Sequence, residues 1–214
     1  MAREINVSVS INESIKNIKV QTDTPLFRIL EDSFGEELGE ERVDYVAALV
    51  DGSLKELTWR IRKHSEITFL SVKSAIGFDM YQRSLIFLML SAAKAVLNKA
   101  EGDYRIEVMY SLGSGFFCRL EDSDTEVTDE LLGRIKKKMD ELVSSNIFLE
   151  KRVRSTNNMR EEFLKRDLPG KSKLLRFRRS SKINIYSLAG YEDYYYGYMV
   201  PSTGCLRKYD IVKY

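Results

Sequence analysis

Reactive side chains are scarce in this chain. One histidine, His64, and two cysteines, Cys118 and Cys205, are spread over 214 residues, and no CxxC pair occurs. A lone imidazole beside a polar turn lacks the partners that acid–base or metal chemistry requires, so His64 reads as a surface or turn residue. Two isolated cysteines in a chain of this size read as reduced thiols of a cytoplasmic protein, with a disulfide left open. Long apolar runs are missing too. The most apolar stretch, Leu85–Ala93, is far below the length that spans a bilayer, and no cationic start with an apolar core and a cleavage site opens the chain. Charge of either sign is also not in excess: the net value of +2 makes no case by itself for a nucleic-acid partner. What remains, 43% hydrophobic and 31% charged residues, describes a soluble globular protein with core enough for one large domain or two small ones.

Apolar and polar residues alternate through Ile5, Val7, Val9 and Ile11, the pattern of a half-buried strand, and Ile15–Val20 supplies a returning one. Thr24-Pro25 announces a helix, with Thr24 as cap and Pro25 at the first helical position. Leu26, Ile29, Leu30 and Phe34 form its stripe, and Gly35 is the expected stop. Val43–Val50, the turn Asp51-Gly52, Leu54–Leu57 and Glu66–Val72 read as further strands. Residues 1–74 therefore form a small α+β domain of the ubiquitin-like β-grasp type.

Residues 75–214 form the second expected domain, also α+β. Gly77-Phe78 marks its boundary, and Asp79 starts a helix that is apolar on nearly every face and ends at Gly102-Asp103. Tyr104–Ser111 and Phe116–Leu120 are strands. Thr128 caps a helix through Leu131, Ile135, Met139 and Leu142. Ile147–Val153 is a strand, 157–166 a helix and Ile183–Leu188 another strand. The chain then enters Asp193-Tyr-Tyr-Tyr-Gly-Tyr-Met-Val-Pro-Ser-Thr-Gly204, where Tyr194, Tyr196 and Tyr198 would share one face of a strand closed by Pro201 and Gly204.

That last stretch resembles a segment of threonyl-tRNA synthetases, Asp-Leu-Cys-Arg-Gly-Pro-His-Val-Pro-Asn-Thr-Gly, from their editing domain. Asp193, Gly197, Val200, Pro201, Thr203 and Gly204 match without a gap, while the family's Cys and His fall on Tyr195 and Met199. The family's His-Ser-x-x-His-Leu helix corresponds to Arg83-Ser-Leu-Ile-Phe87-Leu88, so both of its histidines are replaced as well. Gly115-Phe-Phe-Cys-Arg-Leu120 is similar to a Gly-Phe-Tyr-Tyr-Asp-Phe strand of the same domain. Residues 1–74, with Tyr45-Val-Ala-Ala-Leu-Val-Asp-Gly52, resemble the TGS domain at the N-terminus of those enzymes. The resemblance implies a TGS-like β-grasp domain followed by an editing-like α+β domain that lacks the His/Cys quartet.

Editing chemistry needs imidazole or thiolate to hold a metal or to move protons on water. Arginine cannot release a proton usefully, phenylalanine has no polar atom, tyrosine titrates near pH 10, and methionine is a weak, soft ligand. Neither a metal nor a hydrolytic site is expected at Arg83, Phe87, Tyr195 and Met199. Two readings stay open: the cleft is filled by Phe87, Met199 and Tyr195, or it persists and Arg83, Asp193 and a tyrosine wall bind an anion or a planar base. Gly170-Lys171-Ser172 ends like a phosphate-binding loop, but Lys165 stands where such a loop needs its first glycine. The basic stretch containing Lys171, Lys173, Arg176, Arg178 and Arg179, with Phe177 among them, could contact phosphates and stack a base, or form a solvated loop and strand edge.

A TGS-like domain joined to an editing-like domain without the quartet also resembles the N-terminal half of a bacterial uridine kinase-like family, in which a P-loop nucleoside kinase domain follows. The polar end Arg207–Tyr214 reads as a cut between domains. On this expectation the chain is a non-catalytic regulatory or ligand-binding module, partnered in cis by a kinase domain that would use ATP and Mg to phosphorylate uridine. It needs no cofactor of its own and touches no membrane. The alternative is a free-standing RNA- or tRNA-binding module derived from a synthetase editing domain.

Overall fold

The computed structural model of the chain describes residues 3–99, 103–113, 115–122 and 124–214. The fold is α+β, in two compact units. The first comprises Met1–Leu85, Ser145–Phe148 and Gly197–Arg207; the second comprises Ile86–Ser144, Leu149–Tyr196 and Lys208–Tyr214.

In the first unit, β1 (Glu4–Ile11) pairs antiparallel with β2 (Ser14–Gln21) and parallel with β5 (Ser65–Ser71). β3 (Tyr45–Val50) joins β5 to β4 (Ser53–Glu56), which gives the β-grasp order β2-β1-β5-β3-β4. The alternation in β1 buries Ile5, Val7, Val9 and Ile11 against Leu26, Ile29, Leu30 and Phe34 of α1 (Leu26–Leu38). Each such side chain contributes about 1.5–3 kcal/mol of transfer free energy. Three boundaries differ from expectation. Gly35 stays helical, and α1 ends at Gly39, whose φ of 51° is the left-handed geometry a C-terminal residue needs. Thr24 is not the cap, because its hydroxyl donates to the Gln21 carbonyl at 2.7 Å, and Pro25 takes the N-cap position. Residues Gly39–Asp44 form a 3-10 turn, so the third strand starts at Tyr45 and not at Val43.

Helix α2 (Ala75–Leu97) starts four residues before the expected Asp79, because Ser74 caps it: its Oγ accepts from the Gly77 amide at 3.1 Å. Gly77 is thus a helical residue at a close approach. A Cβ there would lie 2.1 Å from the Ser71 carbonyl oxygen. The helix ends before Asn98, which takes a φ of 51°; Gly102, the expected stop, lies outside the described residues.

The second unit contains the hairpin β6 (Tyr104–Leu112) and β7 (Gly115–Asp122), then α3 (Asp129–Ser144), whose Thr128 cap is present with a 3.2 Å bond from the Leu131 amide. A three-stranded sheet runs β10-β9-β8, from β8 (Glu150–Ser155), β9 (Lys182–Leu188) and β10 (Tyr191–Tyr194). Helices α4 (Thr156–Lys165) and α5 (Pro169–Arg176) cover Ile183 and Ile185 with Met159, Phe163 and Leu175. Three expectations are corrected here. The strand drawn from Ile147 begins at Glu150, because Phe148 bridges Ser202 in the first unit instead. Half of the basic stretch is helical: Leu175 of α5 is buried, and Leu168 just before it packs on the same cluster. The tyrosine run is a strand only to Tyr194, and Tyr196 lies beyond it, 79% exposed.

Candidate functional site

The five positions singled out as a ligand pocket divide between the units. Arg83 and Met199 belong to the first; Phe87, Asp193 and Tyr195 belong to the second.

In the first unit, segment 197–207 is pinned by its backbone. The Val200 amide donates to Ser84 Oγ at 2.9 Å, and that hydroxyl donates to the Met80 carbonyl at 2.7 Å. The Thr203 amide donates to the Ile147 carbonyl at 2.9 Å, and the Ile147 amide returns a 2.8 Å bond to Thr203 Oγ1. Arg83 Nη1 donates to the Tyr198 carbonyl at 2.6 Å. The guanidinium lies against Gly197 so closely that a Cβ there would stand 2.4 Å from Arg83 Cζ. Gly204 makes the same kind of approach to Asn146, at 2.3 Å. Met199 and Val200 are buried, each 1% exposed. Arg83 therefore spends a charged donor on backbone, in a space that only glycine leaves open. Gly197, Val200, Thr203 and Gly204, four of the six positions that match the synthetase segment, carry contacts that need either backbone or small side chains.

In the second unit, Phe87 of α2 is fully buried, with its ring 5.3 Å from that of Tyr195, edge-on, and 5.5 Å from that of Tyr191. Aromatic pairs at these separations fill space that a polar site would need. Asp193 is saturated: Oδ2 accepts from Lys171 Nζ at 2.8 Å and from the Tyr191 hydroxyl at 2.9 Å, while Oδ1 accepts from the Tyr194 amide at 2.7 Å. Lys171 also lies 5.8 Å from the rings of Phe163 and Tyr191. It reaches the wall of a cavity of about 390 Å³ that is lined also by Leu90, Tyr104, Ile106, Leu168 and Tyr191. Phe87, Asp193 and Tyr195 do not line it.

Of the basic candidates, Lys171 is thus turned to Asp193, whereas Lys173, Arg176 and Arg179 are exposed. Arg178 does something else: its guanidinium stacks 5.4 Å from the ring of Tyr194 and 4.3 Å from that of Tyr196. Both cysteines are free, and burial pushes their thiols up from the ordinary value, which disfavours the thiolate. His64 is exposed, with Nδ1 3.1 Å from the Asn6 amide, which donates to it. Among the described residues no group of three or more His, Cys, Asp or Glu could hold a metal ion. No helix among them is long and apolar enough to cross a membrane.

The chain is similar to threonine–tRNA ligases. It is 27% identical over 167 residues to the enzyme of Lactobacillus acidophilus, covering 78% of this chain and 25% of the ligase. It is 22% identical over 176 residues to that of Thermotoga maritima (82% and 27%), and 25% identical over 167 residues to that of Pelobacter propionicus (78% and 26%). The chain thus spans about a quarter of the length of the curated relatives it matches. No family model matches it. These relatives support the synthetase side of the resemblance read from the motifs; none of the three is a nucleoside kinase, and the kinase side draws no support from them.

Sequence reasoning does not single out Tyr191 or Ser84. Tyr191 follows Ala189-Gly190, whose φ values of 48° and 82° make a two-residue hairpin turn, and that dipeptide was the available signal for a strand start. Tyr196 is expected on a strand face with its neighbours; its exposure follows from the strand's end at Tyr194.

Proposed function

We propose that this chain is an RNA-binding module of synthetase origin, with tRNA as its ligand and without hydrolase activity. One observation carries the reading. Similarity to threonine–tRNA ligases extends over about four-fifths of the chain, while the positions that the resemblance gives to the editing quartet hold Arg83, Phe87, Tyr195 and Met199. Selection for hydrolysis would keep at least one imidazole or thiolate there, because no other group present can move a proton near neutral pH. Retention of the scaffold with loss of the chemistry fits binding. The exposed cations Lys173, Arg176 and Arg179 supply the phosphate contacts.

The test is filter binding of unmodified tRNA over a salt series, beside release of serine from mischarged threonine tRNA. Salt-sensitive binding that weakens on replacing Arg176, Arg178 and Arg179 by Gln, with no serine release, supports the proposal. Serine release lost on Arg83→Ala or Asp193→Asn overturns it.

A second reading follows from the motif without the quartet, which resembles the N-terminal half of uridine kinase-like proteins. In that case the partner is a C-terminal nucleoside kinase domain in cis, and ATP and Mg belong to that domain. The mass of the endogenous gene product, with formation of UMP from uridine and ATP, decides between the two. Both readings place the protein in the cytoplasm.

A further inference from the structure

We infer that the second unit binds single-stranded RNA at the end of its sheet where β8 finishes and β9 begins, with bases stacked on Tyr196 and Phe177 and phosphates on Arg154, Arg176, Arg179 and Lys182. The inference rests on the RNA-binding reading above and narrows it to a strand chemistry and a set of residues.

Strand register brings these residues together. Ser155 pairs with Lys182 and Arg154 with Ile183. On the other side of β9, Tyr194 pairs with Ile185, and the Tyr195 amide reaches the Asn184 carbonyl at 3.4 Å, which carries Tyr196 alongside the first residues of β9. The segment between α5 and β9 is tied to the same end: Thr156 donates through its amide to the Ser181 carbonyl at 3.0 Å and through Oγ1 to the Ser180 carbonyl at 2.7 Å. Arg154, Lys182, Arg176–Arg179 and Tyr196 therefore share one end of a three-stranded sheet.

The chemistry of that end is specific. Tyr196 and Phe177 are 79% and 76% exposed, large apolar surfaces that water solvates poorly. Arg178 stacks on Tyr196 at 4.3 Å and holds the ring in place, so its open face is preorganised for a planar partner. Among the described residues Arg154, Arg176, Arg179 and Lys182 have no acidic partner, unlike Arg152, which is paired with Glu150 at 3.0 Å, and Lys171, which is held by Asp193. Unpaired cations beside exposed rings match the alternation of phosphate and base in an unpaired strand. A duplex keeps its bases stacked on each other and offers those rings nothing.

The experiment is fluorescence anisotropy of the full chain with a fluorescein-labelled cytidine dodecamer and with a 12-base-pair RNA duplex, over a salt series. The wild-type chain is expected to prefer the single strand. Tyr196→Ala should weaken that binding roughly tenfold or more, Tyr196→Phe should keep it, and duplex binding should not respond to either. Arg154→Gln and Arg179→Gln should each lower the slope of log affinity against log salt by about 0.7. Unchanged thermal melting certifies the Tyr196 variants as folded. Equal affinity for strand and duplex, or an affinity indifferent to Tyr196→Ala, overturns this inference and leaves the RNA-binding reading standing. Absence of binding to the dodecamer, the duplex and tRNA alike overturns both.

Discussion

Replacing Gly197 by alanine should destabilise the first unit, and the same replacement should be harmless once Arg83 is gone. A Cβ at residue 197 would stand 2.4 Å from Arg83 Cζ and 2.6 Å from Nη1, so the guanidinium must leave. Its departure breaks the 2.6 Å bond to the Tyr198 carbonyl, a charged hydrogen bond of about 1.5–3 kcal/mol. Gly197 does not use a positive φ, so alanine fits the backbone and returns about 0.4–1 kcal/mol through the unfolded chain. Gly197→Ala alone should then cost about 0.5–2.5 kcal/mol and Arg83→Ala about 1.5–3 kcal/mol. The double variant should be no worse than Arg83→Ala, which makes the coupling about as large as the bond itself. Urea unfolding followed by fluorescence of Trp59, the chain's single tryptophan, packed on the first unit's core, measures all four corners of the cycle. Additivity within about 0.5 kcal/mol would show that Arg83 is not what the glycine accommodates.

Ser84→Ala removes the acceptor of the buried Val200 amide and should cost about 1–3 kcal/mol on the same Trp59 transition. Gly77→Ala sets a Cβ against the Ser71 carbonyl, an atom of the backbone that cannot swing aside as a side chain can. The loss should reach about 1–3 kcal/mol or more, and a wild-type melting temperature would contradict the close approach. Asp122 is an acid-sensitive group of the second unit: the bond from Lys99 Nζ, 2.7 Å from Oδ2, holds its carboxyl at about 2, below the ordinary 3.8. A depressed folded value stabilises the fold above the ordinary value, and that contribution is lost as pH falls from about 4 towards 2. The drop in melting temperature over that window should be smaller in Asp122→Asn.

Legibility followed the strength of the local pattern. β1 alternates without interruption, and the Asp51-Gly52 dipeptide has only one good use between two strands, so the β-grasp sheet was readable. Helix α5 was not. Lys171, Lys173 and Arg176 dominate its eight residues, and only Leu175 together with Leu168 just before it shows an apolar face, too short a run to display a period. Gly35 and Gly39 are equivalent as letters, and what separates them is the number of turns α1 needs to cover the sheet. At the candidate site the missing imidazoles and thiols were plain, since the absence of a residue type needs no geometry. The saturation of Asp193 by Lys171 and Tyr191 and the stacking of Arg178 on Tyr196 depend on side chains brought together by α5 and the β9–β10 hairpin, which no spacing encodes.

Asp193 poses the sharpest question, because it persists where every reactive neighbour in the synthetase pattern has been replaced. Its bonds give a structural reason. One oxygen holds the amide of its own neighbour Tyr194, and the other holds a lysine of α5 and the phenol of Tyr191, so a single carboxylate ties α5 to the last strand of the sheet. Asparagine can replace one of these oxygens but presents N–H groups to the donors on the other side. Lys171, whose side chain is 34% exposed, can turn to water; Tyr191, 7% exposed, cannot do so readily. Asp193→Asn should therefore cost the second unit about 1–3 kcal/mol, seen as faster amide exchange across β9 and β10. If the carboxylate serves only the fold, affinity for the cytidine dodecamer should stay at the wild-type value, since the cations at the far end of β9 are untouched. A variant that exchanges like the wild type but loses RNA would reverse the assignment and make Asp193 a ligand group.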